Sequence, residues 1–454
     1  MKIVIEGAGE VGSHLAKMLR AEDNDVTVID DNADRLADLG GYADVETFRG
    51  HPSSISTLRD AGVSKADLFI AVYPSASQEV NIVGALIAKQ LGAKKVVARI
   101  NDEDYLTADN RLLFKELGIE LMFYPEKSAA EEIVYSLKHI ASLDSMDFAR
   151  GKLQISVFKI DEDSPMVDLR LEEFIGTMTP EENTLFRIIA ITRGDVTIIP
   201  KFDTKFVYGD ILFTISKREG LATLQKYFGK EEKPVSRIMI LGGGAIGEMV
   251  ARSMYPQCTS LKILEKNRAR CLVLSERLPD GVMIVNGDGS NSDLLYEEGI
   301  RDCDAFLALT DSDEANVLSC VVAKKFGVPR TVAEVENMEY IRLAEEMGVD
   351  TVINKKLITA GKIFKFTLSG KARFVKYMSG SNAEVIEYTV APGSAVTKAP
   401  LKDLGFPRNA IIAGVIRGSD AFIAVGDTQI EDYDRVAVFA LPQTIKEIDK
   451  FFKS

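Results

Sequence analysis

The chain repeats itself. Gly7-Ala8-Gly9-Glu10-Val11-Gly12 returns as Gly242-Gly243-Gly244-Ala245-Ile246-Gly247, 242 − 7 = 235 residues later, and Asp30 returns as Glu265 at the same spacing. Downstream, Ala61-Gly62-Val63 with Asp67 matches Glu298-Gly299-Ile300 with Asp304 at a spacing of 237, and Asn81 matches Asn316 at 235 again, so small loop insertions separate the copies. Two copies of one folding plan in 454 residues imply several domains rather than one.

Each copy alternates short β-rich runs with helical pattern. In the first, the runs are 3–5, 26–29, 45–48, 68–72, 96–98 and 121–123; in the second, 238–241, 261–264, 282–285, 305–309, 331–335 and 351–353. Strands apolar on both sides and spaced by helices indicate an α/β fold, a doubly wound, Rossmann-like parallel sheet covered on both faces. After the first glycine loop, Val11, Leu15, Met18 and Leu19 recur at helical spacing, as Ile246, Val250 and Met254 do in the second copy, so one face of each helix packs on its sheet. A helix over 127–143 leads out of the first large unit, and a helical stretch out of the second, into a smaller α+β segment of short strands and turns. Its punctuation is Arg193-Gly194-Asp195 and Gly209-Asp210 in the first copy, with Arg417-Gly418 and Gly426-Asp427 in comparable places in the second. The expected order is a large domain at 1–125, a connecting helix at 126–145, a small domain at 146–230, a large domain at 231–356, a helix at 357–372 and a small domain at 373–454. Residues 229–234, polar and ending in Pro234, read as the linker between repeats.

A lone glycine fingerprint is weak, because such turns are common. Here both follow an apolar strand, open a helix and place an acid 18 residues after the third glycine, 30 − 12 and 265 − 247. That is the dinucleotide-binding arrangement: one glycine for the turn, one for close approach of a pyrophosphate, one for helix packing. Free helix N–H groups then hold the anion. Asp30 or Glu265 can accept from a ribose diol and would repel a 2′-phosphate, so NAD(H), ATP or ADP fit and NADP(H) fits poorly. The bland alternative is a tight strand-to-helix turn without a ligand. Open α/β sheets bind at the carboxyl ends of their strands, where Gly50-His51, Tyr73-Pro74, Gly287-Asp288 and Thr310-Asp311 add His51, Tyr73, Pro74, Asp288, Thr310 and Asp311 as candidate contacts. His51 suits adenosine or a plain loop equally; His14 and His139 read as helix-surface residues. Arg99, ending the fifth strand, is placed to reach phosphates, whereas its counterpart at 99 + 235 is Glu334. This charge reversal predicts that the first site prefers polyphosphates and the second tolerates less negative charge.

Composition narrows the partners. With 55 basic and 68 acidic residues the net charge is −13, which works against nucleic acid or anionic lipid as a partner. The composition, 46% apolar and 27% charged with 14 prolines, is that of a packed globular protein. Cys258, Cys271, Cys303 and Cys320 lack a CxxC pair or neighbouring histidines and read as buried apolar residues in a reducing compartment, with no metal site. Met1 leads straight into a strand and no apolar run approaches the ~20 residues of a bilayer span, so the expectation is a cytoplasmic protein without membrane insertion.

The two fingerprints, Asp30 and Glu265, the loops before Asn81 and Asn316, and the trailing small domains together resemble the tandem regulator-of-potassium-conductance (RCK) family, in particular the peripheral subunits of bacterial Trk potassium uptake. The likeness covers essentially the whole chain. Two departures are visible: two extra residues between Tyr73 and Glu79 relative to Thr310 and Glu314, and Glu334 in place of an arginine. The resemblance implies a non-enzymatic gating ring docked on the inner face of the cell membrane under a Trk-type potassium channel subunit and controlled by NAD(H), ATP or ADP; a sharp switch built from ordinary sites adds the expectation of a homo-oligomer, a tetramer. The resemblance also implies large domains paired side by side with exchanged connecting helices, and small domains forming a second dimerisation or ligand-binding layer. Two alternatives stay open. One is an NAD-dependent oxidoreductase, which three histidines, none in the small domains, equip poorly; the other is a stand-alone nucleotide sensor.

Overall fold

A computed structural model of the chain describes residues 1–22, 24–74, 78–138, 144–148, 151–162, 164–194, 196–229, 234–367, 372–377 and 383–452. The first large domain runs β1 (Lys2–Glu6), α1 (Glu10–Ala21), β2 (Asp25–Asp30), α2 (Ala33–Tyr42), β3 (Glu46–Arg49), α3 (Ile55–Asp60), β4 (Leu68–Ala71), α4 (Glu79–Leu91), β5 (Lys95–Arg99), α5 (Ala108–Glu116), β6 (Leu121–Phe123) and α6 (Pro125–Lys138). The first small domain follows with β7 (Asp144–Phe148), β8 (Leu153–Lys159), α7 (Leu171–Gly176), β9 (Phe186–Arg193), β10 (Val196–Ile198), β11 (Ile211–Lys217) and α8 (Leu221–Tyr227). The second large domain runs β12 (Arg237–Leu241), α9 (Ala245–Met254), β13 (Ser260–Glu265), α10 (Arg268–Arg277), β14 (Val282–Asn286), α11 (Ser292–Glu297), β15 (Ala305–Ala308), α12 (Asp313–Lys325), β16 (Arg330–Glu334), α13 (Met338–Glu346), β17 (Thr351–Ile353) and α14 (Lys355–Thr367). The chain then forms β18 (Ala372–Tyr377), β19 (Glu384–Thr389), β20 (Ala410–Arg417), β21 (Asp420–Ile423), β22 (Arg435–Ala440) and α15 (Ile445–Phe452). In space the chain order is re-sorted: Met1–Val134 with Val235–Thr367 makes one compact unit, Tyr135–Pro234 with Leu368–Ser454 another.

In the first unit the two sheets have the orders β3-β2-β1-β4-β5-β6 and β14-β13-β12-β15-β16-β17. Every pairing is parallel, and the order reverses between β1 and β4 and between β12 and β15, leaving a crevice at the strand ends. β1 and β4 are buried because both faces are covered: Ile3, Val4, Ile5, Phe69 and Ile70 have no exposed surface. The edge strand β3 is largely exposed and correspondingly polar. α1 buries Gly12, Leu15, Ala16 and Leu19, so Val11 and Met18, expected in the stripe, flank it half-buried. In α9 the expected Ile246, Val250 and Met254 are buried.

The large domains are paired within one chain. α14, which ends the second, packs on α1 of the first. Lys362 of α14 donates from Nζ to Ser128 Oγ of α6 at 2.5 Å, and Met249 of α9 packs against the first domain's core. α6 starts two residues earlier than expected; the expected stretch 139–143, with His139, and linker residues 230–233 lie outside the described residues. His14 does not sit on a free helix surface. It is half-buried near Lys356, its Nε2 has no hydrogen-bond partner, and burial followed by the charges of Lys356 and Lys17 lowers its pKa.

In the second unit the sheets are antiparallel, ordered β10-β9-β11-β8-β7 and β18-β19-β22-β20-β21. They share one core, in which Ile155, Val157 and Phe213 meet Val385, Ala437 and Phe439, with the Phe213 and Phe439 rings 5.1 Å apart. Gly414 permits the approach, since a Cβ there would lie 2.7 Å from methyls of Ile215 and Leu153. Arg187 Nη1 donates across to the Ala424 carbonyl at 2.8 Å. The turn arginines mark the true repeat: Arg193 grips buried Asp210 at 2.8 Å through two nitrogens, and Arg417 grips buried Asp434. Asp427, expected in the place of Asp210, pairs with Lys402 instead. The cysteines are free; Cys271 and Cys320 are buried as expected, but Cys258 and Cys303 are only half-buried. Among the described residues no helix is long and apolar enough to cross a membrane.

Candidate functional site

Each glycine loop lies at its sheet's switch point, directly after β1 or β12. Gly7 and Gly242 have φ of +108° and +103°, a left-handed conformation that a side chain resists. The third glycine allows the helix to start against the first: a Cβ on Gly12 would lie 1.8 Å from the Gly7 carbonyl oxygen, and one on Gly247 2.2 Å from that of Gly242. Gly9 and Gly244 are the N-caps of α1 and α9, and neither helix start has a side-chain cap. The first-turn N–H groups of Glu10, Val11 and Gly12, and of Ala245, Ile246 and Gly247, thus lie at a helix end where negative charge is stabilised.

The acids at the ends of β2 and β13 brace these loops. Asp30, fully buried, accepts from the Ala8 N–H at 2.7 Å and the Asn32 N–H at 2.8 Å. Glu265 accepts from the Gly243 N–H at 2.8 Å and the Asn267 N–H at 2.7 Å. Each carboxylate thereby orients the loop backbone and carries negative charge beside it. Two amides do similar work on the fourth strand. Asn81 accepts from the Tyr73 N–H at 2.7 Å and donates back to its carbonyl at 3.2 Å; Asn316 does the same for Thr310 at 3.0 and 2.8 Å.

The two sites differ in their cover. Pro74 lies over Gly9, where an added Cβ would meet its ring at 2.8 Å, and Tyr73 donates its hydroxyl to Asp31 at 3.0 Å, tying the end of β4 to the end of β2. Gly244 has open space, and Gly244 and Ala245 are exposed. Of the other candidates, His51 is exposed and its Nδ1 lies 3.0 Å from Ser53 Oγ. Asp288 is exposed, held to about 2 by the Ser290 hydroxyl and Lys266. Asp311 is exposed beside half-buried Thr310. Arg99, expected over phosphates, points its guanidinium to Glu126 of α6 at 3.1 Å. Its counterpart Glu334 meets Lys355 of α14 at 2.8 Å. The charge reversal is therefore answered by a reversed partner in each copy.

Three basic residues near the loops escaped the sequence reading. Arg270 donates to the Gly243 carbonyl at 2.6 Å and to Glu248 at 2.8 Å; Arg35, one repeat earlier at 270 − 235, lies 3.8 Å from Asp30. Their shared spacing was a usable signal. The third, Lys356, comes from the opposite copy and lies 3.2 Å from Glu10 in the first loop; no spacing in the sequence announces it.

The same division is seen in comparisons with known proteins. Residues 3–125 and 238–355 match the family described as TrkA-N domain, and residues 155–229 and 385–453 that described as TrkA-C domain. The chain belongs to the TrkA family. It is similar along its whole length, and along the whole of its relative, to the Trk system potassium uptake protein TrkA homolog of Archaeoglobus fulgidus, with 35% identity over 456 residues. Trk system potassium uptake protein TrkA of Halomonas elongata is 32% identical over all of this chain and 99% of its own. Among solved structures, the GsuK RCK domain superposes on 99% of this TrkA-family chain and 94% of its own at a TM-score of 0.62 and 16% identity. The GsuK channel bound to NAD does so over 99% and 78% at 0.61 and 18%. At these identities the likeness is one of fold, and the fold is Rossmann-like with RCK-type small domains.

Proposed function

We propose that this TrkA-family chain is a regulatory, non-enzymatic subunit of potassium uptake. It binds an adenine nucleotide, NAD(H), ATP or ADP, on its glycine loops and gates a separate Trk-type channel subunit from the inner face of the membrane. The carrying observation is the pair of uncapped helix ends, each braced by a buried or half-buried carboxylate, on two domains that pack into one unit. Relatives named for Trk potassium uptake match it end to end, which supports the potassium-linked role.

A ligand moves a conformational equilibrium only by binding the two states differently. Changing a channel from 1:99 to 99:1 open takes ~5.5 kcal/mol, and a tenfold preference per site supplies ~1.4 kcal/mol, so about four sites suffice. Two loops per chain reach that number in a ring of several copies, a tetramer with room to spare. Asp30 and Glu265 favour a free ribose diol over a 2′-phosphate.

The test is potassium flux into vesicles holding the co-purified channel subunit. Adenine nucleotide is expected to change the flux, and Gly9→Val or Asp30→Ala, which disable one loop of the two in each chain, to diminish the change. Flux that ignores every adenine nucleotide, or steady oxidation of NADH by the purified chain, would overturn it.

A further inference from the structure

Lys356 is the second residue of α14, yet its ammonium is shared between the two copies. Within its own copy, Nζ donates to the Glu336 carbonyl at 2.9 Å and lies 3.7 Å from the Glu336 carboxylate. Across the pair it lies 3.2 Å from Glu10 Oε2, and only 14% of its side chain is exposed, against 71% for Glu10. Its neighbour Lys355 already answers both Glu334 and Glu336 at 2.8 Å, so Lys356 is not needed to neutralise those acids.

Glu10 is the first residue of α1, inside the glycine fingerprint. It stands at the end of the helix where an anionic ligand would be stabilised by the free N–H groups and the dipole. A phosphate held by those N–H groups lies beside this first residue of the helix. It then competes with the Glu10 carboxylate for the ammonium one side chain away.

We infer that Lys356, supplied by the second repeat, reads the phosphates of a nucleoside diphosphate, triphosphate or pyrophosphate-bridged dinucleotide bound on the first glycine loop. The contact is one-sided. In the second loop Ala245 stands where Glu10 stands in the first, and the second residue of α6 is Glu126 where α14 has Lys356. The first site therefore discriminates by phosphate through a residue of the other copy, and α14, whose chain runs on into the second small domain, carries the ammonium that senses occupancy. This inference rests on the nucleotide-binding reading proposed above.

Calorimetric titration of the full chain with ADP and with adenosine tests it, with Gly12→Ala identifying the isotherm that belongs to the first loop. Lys356→Gln is expected to weaken ADP at that loop about tenfold, the size of one charge-assisted contact, and to leave adenosine within about twofold. Lys356→Arg should restore most of the loss. Glu10→Gln, which removes the competitor without touching the lysine, should tighten ADP, and it decides the matter alone if Lys356→Gln does not fold. ADP binding to the first loop that is unchanged by Lys356→Gln or Glu10→Gln would overturn the inference while leaving the nucleotide site standing. A native chain that binds no ADP would end both.

Discussion

Single atoms decide much at the glycine loops. Adding one methyl to Gly12 puts a carbon 1.8 Å from the Gly7 carbonyl oxygen, so the start of α1 must move away from the loop. Gly12→Ala should cost about 1–3 kcal/mol in urea unfolding and remove ADP binding from the first loop in calorimetry. Glu6 is a liability of another kind. It is fully buried at the end of β1, both its carboxylate oxygens lack a partner, and burial raises its pKa well above 4.5. One repeat later, at 6 + 235, the chain has Leu241. The unfolded chain ionises Glu6 near 4.5, the folded chain only at higher pH. Between those values the folded state holds the extra proton, and stability falls as pH rises. Glu6→Leu should therefore stabilise the protein at neutral pH by about 1–3 kcal/mol and flatten that decline in melting curves recorded across pH. A slope unchanged by the substitution would show that Glu6 is not its source.

At the level of elements, the connecting helices are keyed to their sheets by charge. β5 ends in Arg99 and meets Glu126 of α6, whereas β16 ends in Glu334 and meets Lys355 of α14. Although burial works against its charge, Glu334 and Glu336 hold Lys355 protonated well above the ordinary lysine range. Because the two pairs have opposite polarity, the first should tolerate being rewritten as the second. Arg99→Glu alone should cost about 1–2 kcal/mol, below the figure for a fully buried pair because Arg99 and Glu126 keep 25% and 19% of their side-chain surface in water. Adding Glu126→Lys should recover most of that in a double-mutant cycle read by denaturant unfolding. Additive losses would show that the pair does not lock α6 to its strand.

For the whole molecule, the repeat behaves as an internal dimer. α14 covers α1, and β8 and β11 share a core with β19 and β22. A chain ending at residue 229 would leave both surfaces bare, including Phe213, Ile155 and Val157, which have no exposed surface in the complete protein. Contiguous apolar faces of this kind seek a partner. Residues 1–229 expressed alone should sediment as a homodimer that replaces the missing repeat with a second copy of itself; a stable monomer would contradict the pairing.

Periodicity, the glycine spacing and the 235-residue repeat were enough to read the parallel sheets, the loops at their switch points and the acids that end β2 and β13, because each depends on residues close along the chain or on a pattern the chain repeats. The backbone hydrogen bonds by which those acids brace the loops were not read from it. The contacts across the pair were not legible. Lys356 beside Glu10 and half-buried His14 depend on which surfaces meet after folding, whereas Asp434 as the partner of Arg417 was within reach of the spacing, 434 − 417 = 17 as 210 − 193 = 17. Nothing local encodes that meeting, since the residues involved are hundreds of positions apart or obey no period. Short-range sterics and burial set the elements; packing of one copy on the other set which charges face which loop.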